Sequence, residues 1–430
     1  MIYQRERIDL SNDLRVVLDH RDSSQSIAIA CLVGAGSRHD LTGKHGIAHV
    51  VEHFLFRSHW KDEKQSLFQA IQNYGGQVLG FTGLDYTGFG VYVHRDEAEE
   101  ALEILATIVT DLPESEELFE LEKRIIREEL NIVGEDNAYA VQRVKFVLLG
   151  GDESLRHLAG GQREHLERLQ LRDVQEFYRT FYVSKNMVLS LVGHVEREKL
   201  LPRIEKLFSL VPAGSAPESK KELSQKGPKI YAGGMAPNPF ISIFYRCPSY
   251  TSESLPVLEL VADIFSTGLH SRLFQRLREK EGLVYTLESD LRLSSDIGTL
   301  DIYTTTSRGR TQQVVKAVIE ETMNLISSFT EQELEREKKR FIKQQVLFSE
   351  DVKFMSIWYA DRELLSSRRN PDDLGQWIAR VKDITMEDFL KMARQIFSAE
   401  NFFMYVFQSL FSWQKWWLKR KVRKMLRNRA

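Results

Sequence analysis

Apolar positions recur along the chain in two different periods. "RVVLD" (Arg15–Asp19), "SIAIACLVG" (Ser26–Gly34) and "MVLSLVG" (Met187–Gly193) are short apolar runs rich in β-branched residues, which predicts buried strands. "EAEEALEILATIV" from Glu97 and "QVVKAVIEETMNLI" from Gln313 place apolar residues three and four apart, which predicts helices with one buried face. Strands and helices alternate irregularly. Between Val211 and Lys229 the pattern lapses into "VPAGSAPESKKELSQKGPK", a run of Pro, Gly, Ser and Lys with the composition of a linker. The expected division is a domain at 1–211, a linker at 212–228, a second domain at 229–408 and a tail at 409–430.

The two sides resemble each other. "LFQAIQNYGG", with Phe68 and Gly76, aligns with "LFQRLREKEG", with Phe274 and Gly282. "ELFELEKRIIREEL" aligns with "ELEREKKRFIKQQV", where Leu118 and Arg124 meet Leu334 and Arg340. A duplicated domain is the expected origin.

With 42% hydrophobic and 28% charged residues, the 430-residue chain has the balance of a globular protein long enough for more than one core. Two cysteines, Cys31 and Cys247, make neither a disulfide framework nor a cysteine metal pattern, which suits a reducing cytoplasm. The start, "MIYQRERIDLSNDLRVV", reads as neither an export signal nor a transit peptide. The net charge of −2 is unevenly spread: the last 20 residues carry eight bases and no acid, leaving the preceding 410 residues at −10. A body with that charge has no general reason to bind nucleic acid.

One apolar segment contains residues that packing does not explain. In "GKHGIAHVVEHFLFRS" (Gly43–Ser58), a helix puts His49 and His53 on one face, with Glu52 adjacent. Two buried imidazoles beside a carboxylate are costly unless every group is paired, and one zinc ion answers that need. Structural zinc takes four protein ligands, whereas a catalytic site takes three and leaves a position to water. Glu122 and Glu129, seven apart on one helical face, are candidates for the third, with Glu128 one step round. The repeat favours this segment: its counterpart has Gln345 at the place of Glu129. "LVADIF" (Leu260–Phe265) likewise replaces the two histidines with Leu260 and Ile264.

These residues resemble the inverzincins, whose motif is His-x-x-Glu-His, and within them the pitrilysin, insulin-degrading enzyme and mitochondrial processing peptidase family. "GIAHVVEHFLF" is similar to that family's motif helix, Glu129 follows His53 by 76 positions as its third ligand does, and Glu122 matches its accessory acid. "SRLFQRLREKEGLVYTL" is similar to the segment bearing an Arg and a Tyr seven apart, here Arg278 and Tyr285. The resemblance covers nearly all of residues 1–408. It implies an α+β fold of two homologous domains, each a mostly antiparallel sheet packed with helices, pairing with a second chain as a clamshell. It also implies a zinc metallopeptidase: His49, His53 and Glu129 hold Zn2+, Glu52 is the catalytic base, Glu122 supports the ligands, and Arg278 and Tyr285 bind substrate. The expected partners are a peptide and a second copy of this chain, a homologous subunit being the alternative. A dedicated, membrane-associated maturation peptidase for one peptide precursor is the narrower alternative, and a non-catalytic subunit of the same fold is the competing role, whose mark, a damaged motif, is missing here. One departure stands out. Where the family commonly reads Gly-Gly-x-x-Asn-Ala, "GGQVLGFTGLDYT" has Leu79 and Gly80.

For the substrate edge, "YTGFGVYV" (Tyr86–Val93) is one candidate, and an interior strand is its alternative reading. In the tail, Phe411, Leu418, Val422 and Met425 follow helical spacing among the eight bases and three tryptophans. A basic amphipathic helix on an anionic membrane is one expectation, which makes a peripheral place at the inner face of the membrane an extension of the cytoplasmic one. The other is that the aromatics from Phe411 to Trp417 pack on the body.

Overall fold

The computed structural model describes residues 4–58, 66–133, 137–151, 153–218, 223–234, 236, 238–366 and 371–427. Part of the expected linker, 219–222, and the last three residues of the tail lie outside them. The chain forms two compact units, and these do not follow chain order: residues 346–373 belong with the first half, and 144–152 with the second.

In the first unit six strands order as β1-β2-β6-β3-β5-β4, namely Gln4–Asp9, Arg15–His20, Met187–Gly193, Ser26–Val33, Thr87–His94 and Gln77–Thr82. Only β2 and β6 pair in parallel; every other neighbour is antiparallel. Ile27, Ile29, Cys31 and Val33 of β3 face the main core with the helix Ala98–Thr110. The alternate residues are buried too, because the helix Val352–Leu365 covers the other face, packing Val352, Met355 and Tyr359 on Val17, Ala28 and Val192. This second cover explains why β3 is apolar throughout rather than alternating. Glu363 on the covering helix is tied to Arg5 and Arg7 of β1, the latter at 2.9 Å.

In the second unit five strands order as β7-β11-β8-β10-β9: Lys229–Gly233, Phe402–Phe407, Phe240–Cys247, Gly298–Thr306 and Val284–Leu293. Again one pair is parallel, β7 with β11, and the rest are antiparallel. Apart from β1, the first sheet has the same order and the same single parallel pair.

Two expectations change. Tyr86–Val93 is not an edge: β5 lies between β3 and β4, so the edge on that side of the sheet is β4, the strand that leaves Gly75-Gly76. In the tail, the helix Ser412–Arg427 inserts Leu418, Val422 and Leu426 into the core of the second unit. Phe411, Trp413 and Trp416 stay exposed, at 73%, 67% and 58% of their surface, which reverses the reading in which the aromatics pack.

Candidate active site

The motif helix runs Ile47–Leu55, and its start is built without a side-chain cap of its own. Gly46 takes φ +98°, a conformation glycine adopts readily, and the Asp40 carboxylate accepts from the backbone N–H of Gly46 at 2.6 Å and of Ala48 at 3.1 Å. Asp40 thus caps the helix from six residues upstream. Ile47, Val50, Val51, Phe54 and Leu55 sink into the core, which fixes the direction of the polar face.

On that face the His49 and His53 rings lie 4.5 Å apart, centroid to centroid. Glu129, on the helix Glu116–Val133, reaches both: Oε1 is 3.8 Å from His49 Nε2 and Oε2 is 3.5 Å from His53 Nε2. One ligand atom from each of the three lies within 4.8 Å of the others. The neighbouring Glu128 contacts Asn131 instead, at 3.4 Å. Glu122 is buried, accepts from His53 Nδ1–H at 3.2 Å, and is bound on its other oxygen by Arg57. That bond places the proton of His53 on Nδ1 and turns the lone pair of Nε2 toward Glu129. Glu52, also buried, accepts from the Thr82 hydroxyl on edge strand β4 at 2.6 Å.

The titrations follow from this packing. Burial, with His53 alongside, pushes the His49 imidazole down to about 3, so it is neutral. Burial also raises the Glu52 carboxyl, opposed by the Thr82 hydrogen bond. Burial alone would lower His53, yet the Glu122 hydrogen bond and the charges of Glu52, Glu122 and Glu129 raise it. Glu122 resists burial through its bonds to His53 and Arg57, which hold it below the usual carboxylate range. Two neutral-capable imidazoles and a carboxylate, with one ligand atom of each within 4.8 Å of the others, fit a borderline divalent ion such as zinc.

Sequence reasoning missed Asp40, Arg57 and Thr82. Asp40 is too far from the helix start for a local capping rule, and Thr82 reaches Glu52 only through the fold. Gly80 also acquires a reason. A Cβ there would lie 2.4 Å from the Phe56 ring and 2.7 Å from Glu52 Oε1, so glycine lets β4 lie close against the motif helix. Arg278 and Tyr285 belong to the second unit, where the guanidinium lies over the Tyr285 ring at 5.3 Å; Tyr285 is 79% exposed.

Comparison with known proteins follows the same division. A family model described as insulinase (peptidase family M16) matches residues 15–145, and one described as the peptidase M16 inactive domain matches 168–341. The chain belongs to the pitrilysin (M16) peptidase family. Among M16 relatives, the uncharacterized zinc protease YmxG of Bacillus subtilis is 24% identical over 92% of this chain and 96% of its own. An uncharacterized zinc protease of Rickettsia felis is 26% identical over 91% and 94%. The fold matches that of a Helicobacter pylori protease with a TM-score of 0.83 at 18% identity, covering 95% of this chain and all of that one. The motif helix falls inside the insulinase match.

Proposed function

We propose that the chain is a zinc endopeptidase acting on unfolded peptides or the leaders of peptide precursors. The observation that carries this is the convergence of His49, His53 and Glu129, with Glu52 beside them and joined to an edge strand. A bound zinc supplies Lewis acidity, lowering the pKa of water toward neutrality and polarising a scissile carbonyl. Glu52 accepts the proton of the attacking water and returns it to the leaving amine. Its raised pKa suits a group that must hold that proton in between. An extended peptide adds to the outer edge of β4 by main-chain pairing, which positions it without demanding one sequence. Leu79, 45% exposed on that strand, offers an apolar contact where the family commonly has asparagine. The test is zinc content measured alongside hydrolysis of an unfolded fluorogenic peptide library. About one zinc at this site with chelator-sensitive cleavage is expected; a metal-loaded chain that cleaves nothing would return it to the non-catalytic role.

Arg278 and Tyr285 are assigned to the substrate backbone and the developing oxyanion of a second copy in a homodimer. Mixing Glu52→Gln chains with Arg278→Ala/Tyr285→Phe chains then restores activity; confirmed subunit exchange without recovery would refute sites completed between copies.

The C-terminal helix supports peripheral attachment to an anionic membrane. Its apolar face is spent on the second unit, while Trp413 and Trp416 project beside exposed Arg420, Lys421, Arg423 and Lys424. No helix among the described residues is long and apolar enough to cross a membrane. Trp413→Ala/Trp416→Ala is expected to abolish co-sedimentation with anionic liposomes while short-peptide hydrolysis persists. Intact protein that never sediments with them at low salt would remove this assignment.

A further inference from the structure

One turn before His49, at the start of the motif helix, lies a second group of histidines that the proposed chemistry does not use. His45 and His157 are buried, with ring centroids 4.3 Å apart, and the His165 ring lies 4.9 Å from His45 and 6.1 Å from His157. Glu153 brings Oε1 to 3.8 Å from His45 Nε2. Ligand atoms of His45, Glu153 and His157 all lie within 4.8 Å of one another. His157 is 7% exposed, and its buried Nε2 has no hydrogen-bond partner among the described residues; neither has Nδ1 of His165.

We propose that His45, Glu153 and His157, with His165 as the fourth donor, form a second divalent-metal site, structural rather than catalytic. The donors suit zinc, cobalt(II) or nickel(II), because imidazole nitrogens and one carboxylate match borderline ions rather than calcium or magnesium. Four protein ligands are also the number that closes a structural site and leaves no place for substrate. A supporting partner is present: the Gln162 side-chain amide lies 3.0 Å from His157 Nδ1. With its oxygen turned to accept from Nδ1–H, Nε2 keeps its lone pair for the ion.

The place explains the use. The turn between His157 and Gln162 lies directly on the start of the motif helix: a Cβ on Gly161, at φ +75°, would meet the His45 carbonyl oxygen at 2.1 Å, and one on Gly46 would meet the Gly160 oxygen at 2.7 Å. Gly160 in turn faces the His49 ring. An ion shared by His45 on one side and Glu153, His157 and His165 on the other clamps this turn against the helix that presents His49 and His53. It leaves their catalytic partners untouched.

The test is metal stoichiometry on the full-length chain, dialysed after zinc loading. Wild type is expected to keep two equivalents, His49→Ala/Glu129→Gln one, and the same chain with His157→Ala/His165→Ala added none. Because the added changes can disturb folding, cobalt(II) is titrated into folded His49→Ala/Glu129→Gln protein as well, where the visible bands of a four-coordinate nitrogen and oxygen site should saturate at one equivalent. Wild type holding one equivalent, a folded His49→Ala/Glu129→Gln chain holding none, or a residual equivalent that survives His157→Ala/His165→Ala would each overturn the second site. The first two results leave the proposed peptidase intact, since that rests on different ligands.

Discussion

The motif helix Ile47–Leu55 and its counterpart Leu255–Ser266 place an acid at equivalent positions, and the two carboxylates meet opposite surroundings. Glu52 stands beside two imidazoles and accepts a hydrogen bond from the Thr82 hydroxyl. Asp263, in the unit without the motif, is bound by Arg340 and by His270 at 3.4 Å. Burial raises Asp263, against the pull of Arg340 and His270. Where the first helix has His49 and His53, the second has buried Leu260 and Ile264. The same strand order therefore carries two solutions to one problem. A carboxylate on a buried helix face must be neutralised: in the second unit an arginine does so permanently, and in the first the acid is left available to a proton.

The largest effect that separates the two is kinetic. Glu52→Gln should keep zinc and lose turnover by about 10²–10⁴-fold, because Gln cannot accept a proton. Asp263→Asn should leave turnover unchanged and lower stability by about 1–3 kcal/mol, seen in the denaturation midpoint, since the half-buried Arg340 loses one of its carboxylate partners and keeps Glu337. A kinetic loss at Asp263 comparable to that at Glu52 would break the contrast.

Next comes Glu122→Gln, expected to weaken zinc retention about 10–100-fold through His53. In metal-free protein it should also lower the His53 pKa, read by NMR. Since Glu122 raises that pKa in the folded state, the pair's contribution is complete below the ordinary imidazole value of 6.5 and fades as pH rises through the folded value. Wild type should thus exceed the variant in stability by more at about pH 5.5 than at about pH 8.5. A difference that grows with pH would exclude the His53–Glu122 bond as its source. The smallest effect belongs to Asp40→Ala, which removes the cap and should cost about 1–2 kcal/mol. It should leave the chemistry in place once the protein is folded.

The helix bearing the motif was legible because its spacing and its chemistry are local: His49, Glu52 and His53 need only the helical period. Glu129 was legible through a helical interval from Glu122 and through its replacement by Gln345 in the repeat, and the contacts place Glu129 rather than Glu128 against both rings. The edge strand was not legible. β4 and β5 are both short, with glycine and aromatic residues, and only the neighbour on the far side distinguishes an edge from an interior strand. The same limit hid the helix Val352–Leu365, whose place on the first sheet is set by Tyr359, Met355 and the Glu363 ion pairs over a long sequence separation. In the tail, helical spacing was visible, but the face that packs was set by the receiving core. Leu418, Val422 and Leu426 fit it and the tryptophans do not.

The most direct measurement of the central contrast is diffraction from zinc-soaked crystals on both sides of the zinc absorption edge. An anomalous peak about 2.0–2.2 Å from the nearest donor atoms of His49, His53 and Glu129 is the expected result, with none beside Leu260, Ile264 and Gln345. A fully soaked crystal with no peak between those two histidines and Glu129 would contradict the account.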